Sequence, residues 1–180
     1  TGVTRFTWDA RNQLTAITGP TTSAFLYDGF GRRVRKTIGG AQTDFVYDDV
    51  DVVQELADGA PMNYLRSLNI DEAPGRGSEF YLTDAVGSSV ALAAPSGTLT
   101  TQYTTEPFGR TSASGAISTN PMQWTGREHD ATGLYFLRAR YYSATLQRFI
   151  SEDPIRFAGG DVNLYAYVRN SPVTYTDPSG

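Results

Sequence analysis

Two Asp-Pro dipeptides, Asp153-Pro154 and Asp177-Pro178, stand 24 residues apart near one end of this 180-residue chain. The segment that holds them, residues 133–180, is also rich in tyrosine and arginine. Two carboxylates in such a setting could share a proton and activate a water, which is the chemistry of an aspartic protease. Each also has a plainer reading. An Asp before Pro commonly starts a turn, and Asp153, which follows Ser151-Glu152, could be a solvated turn acid. His129, the lone histidine, sits in a polar stretch without a second ligand or a serine elbow, so a surface position fits it better than a metal or triad role.

Composition limits the alternatives. Charged residues make up 19% of the chain and aromatics 12%, which argues against disorder and for one packed domain of ordinary size. A net charge of −4 gives no electrostatic reason to expect nucleic acid. With no cysteine, disulfides and thiolate metal sites are excluded. No apolar run is long enough to span a membrane, and no cofactor or metal is expected. The start, TGVTRFTWDARNQ, lacks the layout of a signal peptide and opens inside a repeat, so the chain reads as a piece of a longer polypeptide.

The elements that must carry the acids are strands. An aromatic, any residue, an aromatic and Asp recur as Phe6-Thr7-Trp8-Asp9, Phe25-Leu26-Tyr27-Asp28 and Phe45-Val46-Tyr47-Asp48. Alternating aromatics suit a strand with one buried face, and the Asp can close the following turn by accepting backbone N–H bonds. Each unit therefore predicts strand, tight turn, strand. The theme weakens but continues: strands are expected either side of Asp58-Gly59, at Phe80–Thr83 before Asp84, through Val86–Leu92 and at Leu99–Tyr103. Glu106 takes the place of Asp in a later turn. Pro74–Ser78 has loop chemistry, and 111–121, small and polar, reads as the most flexible loop and the softest proteolytic site. Helix is scarce, the candidates being 140–148 and a short turn near 164–169. An ordinary binding β-sandwich would fit the same strand pattern.

Three blocks narrow this: GLYFLRARYY (133–142), QRFISEDPIRFAGG (147–160) and NLYAYVRNSPVTYTDPSG (163–180). With the upstream repeats they resemble the C-terminal core of Rhs/YD-repeat proteins, a family that includes polymorphic bacterial toxins, the C component of Tc toxin complexes and, more distantly, teneurins. The resemblance implies an all-β fold in which residues 1–110 are YD-type hairpins of a spiral sheet at the end of a shell. Residues 111–132 would form a loop and connection, and 133–180 a compact core plug with short helical turns. It implies a single-turnover aspartyl autoprotease with Asp153 and Asp177 as the acids and Arg140 as the assisting cation. Pro178, Ser179 and Gly180 would be the cleavage signature. The family pattern continues with Leu after Asp-Pro-x-Gly and is cut after that Leu. This sequence stops at Gly180, so the scissile bond lies outside it and no turnover is expected of the fragment.

The partners so implied are the rest of the shell and a C-terminal toxin segment, with self-association through exposed strand edges as another outcome. The implied location is outside the producing cell, by export or at its surface. A rival reading from another class keeps the acids as turn residues in a non-enzymatic module that binds carbohydrate or protein. Arg140 would then be half of a buried ion pair or a partner of Tyr141 or Tyr142. Arg138, two residues away and on the same face of an extended strand, competes with it. The tyrosines 141, 142, 165 and 167 read as core and wall packing with hydrogen-bonded hydroxyls.

Overall fold

A computed structural model of the chain describes residues 3–69 and 72–180; the repeat expectation at 1–2 and 70–71 lies outside the described residues. Twelve strands follow one another as an antiparallel meander, each paired with the next. They are β1 (Arg5–Trp8), β2 (Leu14–Thr18), β3 (Ser23–Tyr27), β4 (Arg33–Ile38), β5 (Ala41–Asp48), β6 (Asp51–Ala57), β7 (Ala60–Leu65), β8 (Gly75–Arg76), β9 (Glu79–Thr83), β10 (Ser89–Ala93), β11 (Leu99–Thr105) and β12 (Thr111–Gly115). A second antiparallel sheet holds β13 (Glu128–His129), β14 (Leu134–Leu137), β15 (Arg140–Ser143) and β16 (Arg148–Phe149). The chain is all-β, as its sequence predicts. Among the described residues the helical content is three 3-10 turns, Trp124–Gly126, Arg156–Gly159 and Val168–Asn170.

The repeat aspartates close turns by one device. Asp9 Oδ1 accepts from the backbone N–H groups of Arg11 and Gln13. Asp28 does the same for Phe30 and Arg32, and Asp84 for Val86 and Ser88. A carboxylate that binds the amides two and four residues on replaces a backbone turn and releases the chain into the next strand. Asp48 departs from the pattern. It lies inside β5, opposite Asp51, across a two-residue turn in which Asp49 takes a left-handed φ of 51°.

Three local expectations are corrected. Residues 111–115 form β12, paired from Thr105↔Thr111 to Thr101↔Gly115, because ladder bonds come from backbone and need no large side chains. Pro74–Ser78 contains β8. A Cβ on Gly75 would lie 2.6 Å from the Glu79 carbonyl oxygen, so glycine is what lets the two strands approach. Residues 140–148 are strand, turn and strand rather than helix, since Arg140-Tyr141-Tyr142-Ser143 pairs with β14 and buries all four residues.

The small sheet packs across the large one. Leu14, Ile17 and Phe25 from β2 and β3 meet Leu134, Phe136 and Tyr141 from β14 and β15. Neighbouring strand residues face opposite ways, so Tyr135 and Leu137 pack on the other side with Trp124, Tyr142, Phe149 and Tyr167. β14 is thus buried on both faces. Each aromatic ring so covered contributes roughly 1.5–3 kcal/mol. Tyr142 donates its hydroxyl to the Phe108 carbonyl at 3.0 Å, and the Tyr141 hydroxyl accepts from Arg33 at 2.8 Å.

An ionic seam joins the same two sheets. Arg33 of β4, fully buried, pairs at 2.6 Å with both Glu128 and Asp130. Lys36 pairs with Glu128 and, at 3.2 Å, with Asp130. The guanidinium also lies 4.2 Å from the centre of the Phe136 ring. Two cations and two anions close on one another here, which is how buried charge is tolerated.

Candidate active site

β15 places Arg140, and its register decides where the side chain goes. Arg140 lies opposite Leu137 and shares the face of Tyr135, Tyr142 and Phe149, the one turned away from β2 and β3. Its guanidinium stacks 3.6 Å from the centre of the Phe149 ring, and its side chain is 5% exposed. From there it reaches both Asp-Pro turns. Nη2 stands 3.2 Å from Asp153 Oδ2 and 3.3 Å from Asp177 Oδ2. Nε donates to the Gly180 carbonyl at 2.5 Å and Nη1 to the Leu164 carbonyl at 3.2 Å.

The two acids divide their oxygens alike. Asp153 Oδ1 accepts from the Ile155 amide at 2.9 Å, closing the turn after β16. Asp177 Oδ1 accepts from the Ser179 amide and hydroxyl, both at 3.1 Å, and from the Gly180 amide at 2.8 Å. In each case Oδ2 is left for Arg140. The turn-starting and ion-pairing roles weighed in the sequence therefore coexist on opposite oxygens of the same carboxylate.

The tail 177–180 is docked by its backbone. The Ser179 carbonyl accepts from the Ala139 amide at 3.2 Å. Gly180 is buried with φ 79°, and a Cβ there would overlap the Leu137 carbonyl oxygen. Only glycine fits that place and that conformation. The Pro178 carbonyl accepts from Arg127 at 2.8 Å and from Arg138. Beside the tail lies an open cleft of about 390 Å³ lined by Arg140, Asp153, Asp161, Arg169, Asp177 and Gly180. Burial draws the Arg140 guanidinium below its ordinary value, against the upward pull of Asp153 and Asp177.

Such a site holds one cation between two partly exposed carboxylates, 18% and 19% exposed, with a peptide end in contact. Carboxylates so placed beside a cation are groups of the kind that orient a water or balance a developing oxyanion. Among the described residues no three His, Cys, Asp or Glu side chains converge as a metal site. Arg138 does not share a strand face with Arg140. It sits with φ 52° in the tight turn between β14 and β15 and points to Asp51 and Pro178. His129 is also relocated: it is in β13, half-buried and edge-on to the Tyr135 ring at 4.9 Å. The sequence reading missed Arg127 and the Arg33 network. The one signal available was the alternation Glu128-His129-Asp130, which puts both acids on one side of β13 and the residue that follows it.

Against known proteins, no protein-family model matches. The tRNA nuclease WapA of Bacillus subtilis is 32% identical over 193 residues, covering 97% of this chain and 8% of that protein. The probable deoxyribonuclease RhsA of Dickeya dadantii is 30% identical over 197 residues, covering 99% and 14%. The double-stranded DNA deaminase toxin A of Burkholderia cenocepacia is 26% identical, covering 98% and 15%. The chain thus spans a small part of the length of these relatives. The crystal structure of TcdB2-TccC3-Cdc42 superposes with a TM-score of 0.78 at 21% identity, over 98% of this chain and 10% of that one. The crystal structure of TcdB2-TccC3 without its hypervariable C-terminal region gives 0.73 at 22%, with the same coverage. At these identities the structural likeness is one of fold.

Proposed function

This chain belongs to the Rhs/YD-repeat family, and on that premise we propose that it is the closing end of a β-walled toxin shell whose core cuts its own polypeptide just past Gly180. The observation that carries the reading is the convergence of Asp153, Asp177 and the Gly180 carbonyl on the single guanidinium of Arg140. Two Asp-Pro turns 24 residues apart in the sequence meet on one cation beside residue 180. The relatives support the shell role in another way. They are named for a tRNA nuclease, a deoxyribonuclease and a DNA deaminase, yet each matches nearly all of this chain. A common shell that carries different cargo accounts for both facts, and delivery of such cargo places the shell outside the producing cell.

The reaction is hydrolysis of one peptide bond. A water in the cleft gives a proton to one aspartate as its oxygen bonds to the scissile carbonyl carbon. The other aspartate gives a proton to the carbonyl oxygen, and Arg140 balances the charge that remains. Collapse of the tetrahedral centre returns a hydroxyl proton to the second aspartate and breaks the C–N bond, and the amine leaves with the proton taken from water. A new carboxylate then occupies the site, so each chain reacts once. The tail needs no diffusion to find the site, since its backbone is already hydrogen-bonded there.

The test extends the chain past Gly180 with leucine and a reporter, with upstream repeats co-expressed so that the wall is complete, and follows size on a gel. Cleavage that disappears in Asp153→Asn and in Asp177→Asn supports the proposal. A folded extension that stays whole leaves the protein a non-enzymatic wall module with aspartate-closed turns.

A further inference from the structure

Two guanidiniums on one neutral carbonyl are more than a turn requires. The Pro178 oxygen accepts from Arg127 and from Arg138, although one neutral donor would satisfy it and like charges repel. Arg138 has a second engagement. Its Nη2 pairs at 3.2 Å with Asp51 Oδ1, the first residue of β6 in the large sheet. One planar fork is thus shared between wall and tail, a geometry that a lysine could not reproduce. The side chain reaches both only because Arg138 takes a left-handed conformation, with φ 52°, that an ordinary residue adopts at a cost. The three carbonyls before the reaction point are therefore held in register: Pro178 by Arg127 and Arg138, Ser179 by the Ala139 amide, and Gly180 by Arg140.

We infer that Arg138, anchored by Asp51, is a positioning residue that makes cleavage conditional on wall docking; this rests on the self-cleavage reading above. With Asp51 in place the fork fixes the Pro178 carbonyl, and through it the peptide that follows Gly180 lies over Asp153 and Asp177. When the β5–β6 hairpin is displaced, Arg138 loses its anchor and the peptide drifts from the acids. The shell then opens its cargo bond only after this stretch of wall has closed on the core. Arg127, from the segment between the two sheets, is the second hold on the same carbonyl.

The experiment uses the extended chain with its upstream repeats and reads two quantities, the first-order rate and the final fraction cut. Arg138→Met and Asp51→Ala are expected to slow the rate about 10- to 100-fold, the scale of a misplaced reacting group, while the folded molecules still cut to completion. The pH profile should keep its shape, because the acids are untouched. Arg138→Lys should recover part of the rate. Arg66→Met removes another neighbour of Asp51, at 3.9 Å, that does not reach the tail, and should leave the rate within about twofold. An unchanged rate in Asp51→Ala, or a loss that only tracks the unfolded fraction, overturns the inference. Amide exchange at Ser179 and Gly180 in an Asp153→Asn background separates the two proposals. Faster exchange on adding Asp51→Ala supports the clamp even if the parent chain is never cut, and unchanged exchange overturns it.

Discussion

The molecule holds two clusters in which arginine meets a pair of acids, and they differ in access. At the seam between the sheets, Arg33 and Lys36 face Glu128 and Asp130, with Arg33 and Asp130 fully buried. At the tail, Arg140 faces Asp153 and Asp177, and a cleft opens beside them. The first cluster is neutral and closed, so it has nowhere to put a proton and nothing to admit. The second opens to solvent, so an incoming group can reach it. Like residues can thus serve as glue in one place and line an open cleft in another, and solvent access separates the two.

Removing the cation should separate them most sharply. Arg33→Met leaves two buried carboxylates to Lys36 alone and should destabilise the protein by about 3–5 kcal/mol. Arg140→Met leaves two carboxylates that water can reach, and its loss should be about 1–3 kcal/mol. Urea midpoints of the two variants, read with a common slope, give the comparison directly; equal losses would erase the distinction.

Acid should find the closed cluster next. Burial alone would push the Glu128 carboxyl up, but Arg33 and Lys36 outweigh it and hold the group below the usual carboxylate range. A lowered folded value gives stability that is complete above the unfolded value, about 4.3, and is lost as pH falls through the folded one. The urea midpoint should therefore drop as pH falls below about 4.3, and Glu128→Gln should flatten that slope. A slope unchanged by the substitution would assign it to other acids.

The smallest effect belongs to His129. Burial holds its imidazole below the ordinary value despite the upward pull of Asp130. The unfolded chain takes up a proton that the folded chain refuses, so stability falls as pH drops below about 6.5. An NMR titration of the ring that gives a value at or above that figure would contradict this.

Much of the wall was legible because its signals are local. Phe25-Leu26-Tyr27-Asp28 names a strand and its turn in four residues, and Asp58-Gly59 names a hairpin. Asp153, Asp177 and Arg140 were legible only as a set carried by resemblance, since nothing in their spacing says that one guanidinium spans two turns. Composition misled at 111–115, because backbone ladders accept small polar residues. Composition gave no mark of burial at Arg33, because the acids that cover it, Glu128 of β13 and Asp130 just after it, come from far along the chain. Arg127 had no signal at all, and Arg138 was marked only as a competitor of Arg140. The acceptor they share is a backbone carbonyl, which every residue carries and no sequence pattern marks.

The decisive measurement is the intact mass of the extended chain after incubation in heavy-oxygen water. The account predicts a single product ending in the leucine that follows Gly180, with one heavy oxygen in its new carboxyl group, and no such product from Asp177→Asn. A product ending at Asp153 or Asp177, from ordinary acid scission of an Asp-Pro bond, or a cut that survives Asp177→Asn, would contradict it.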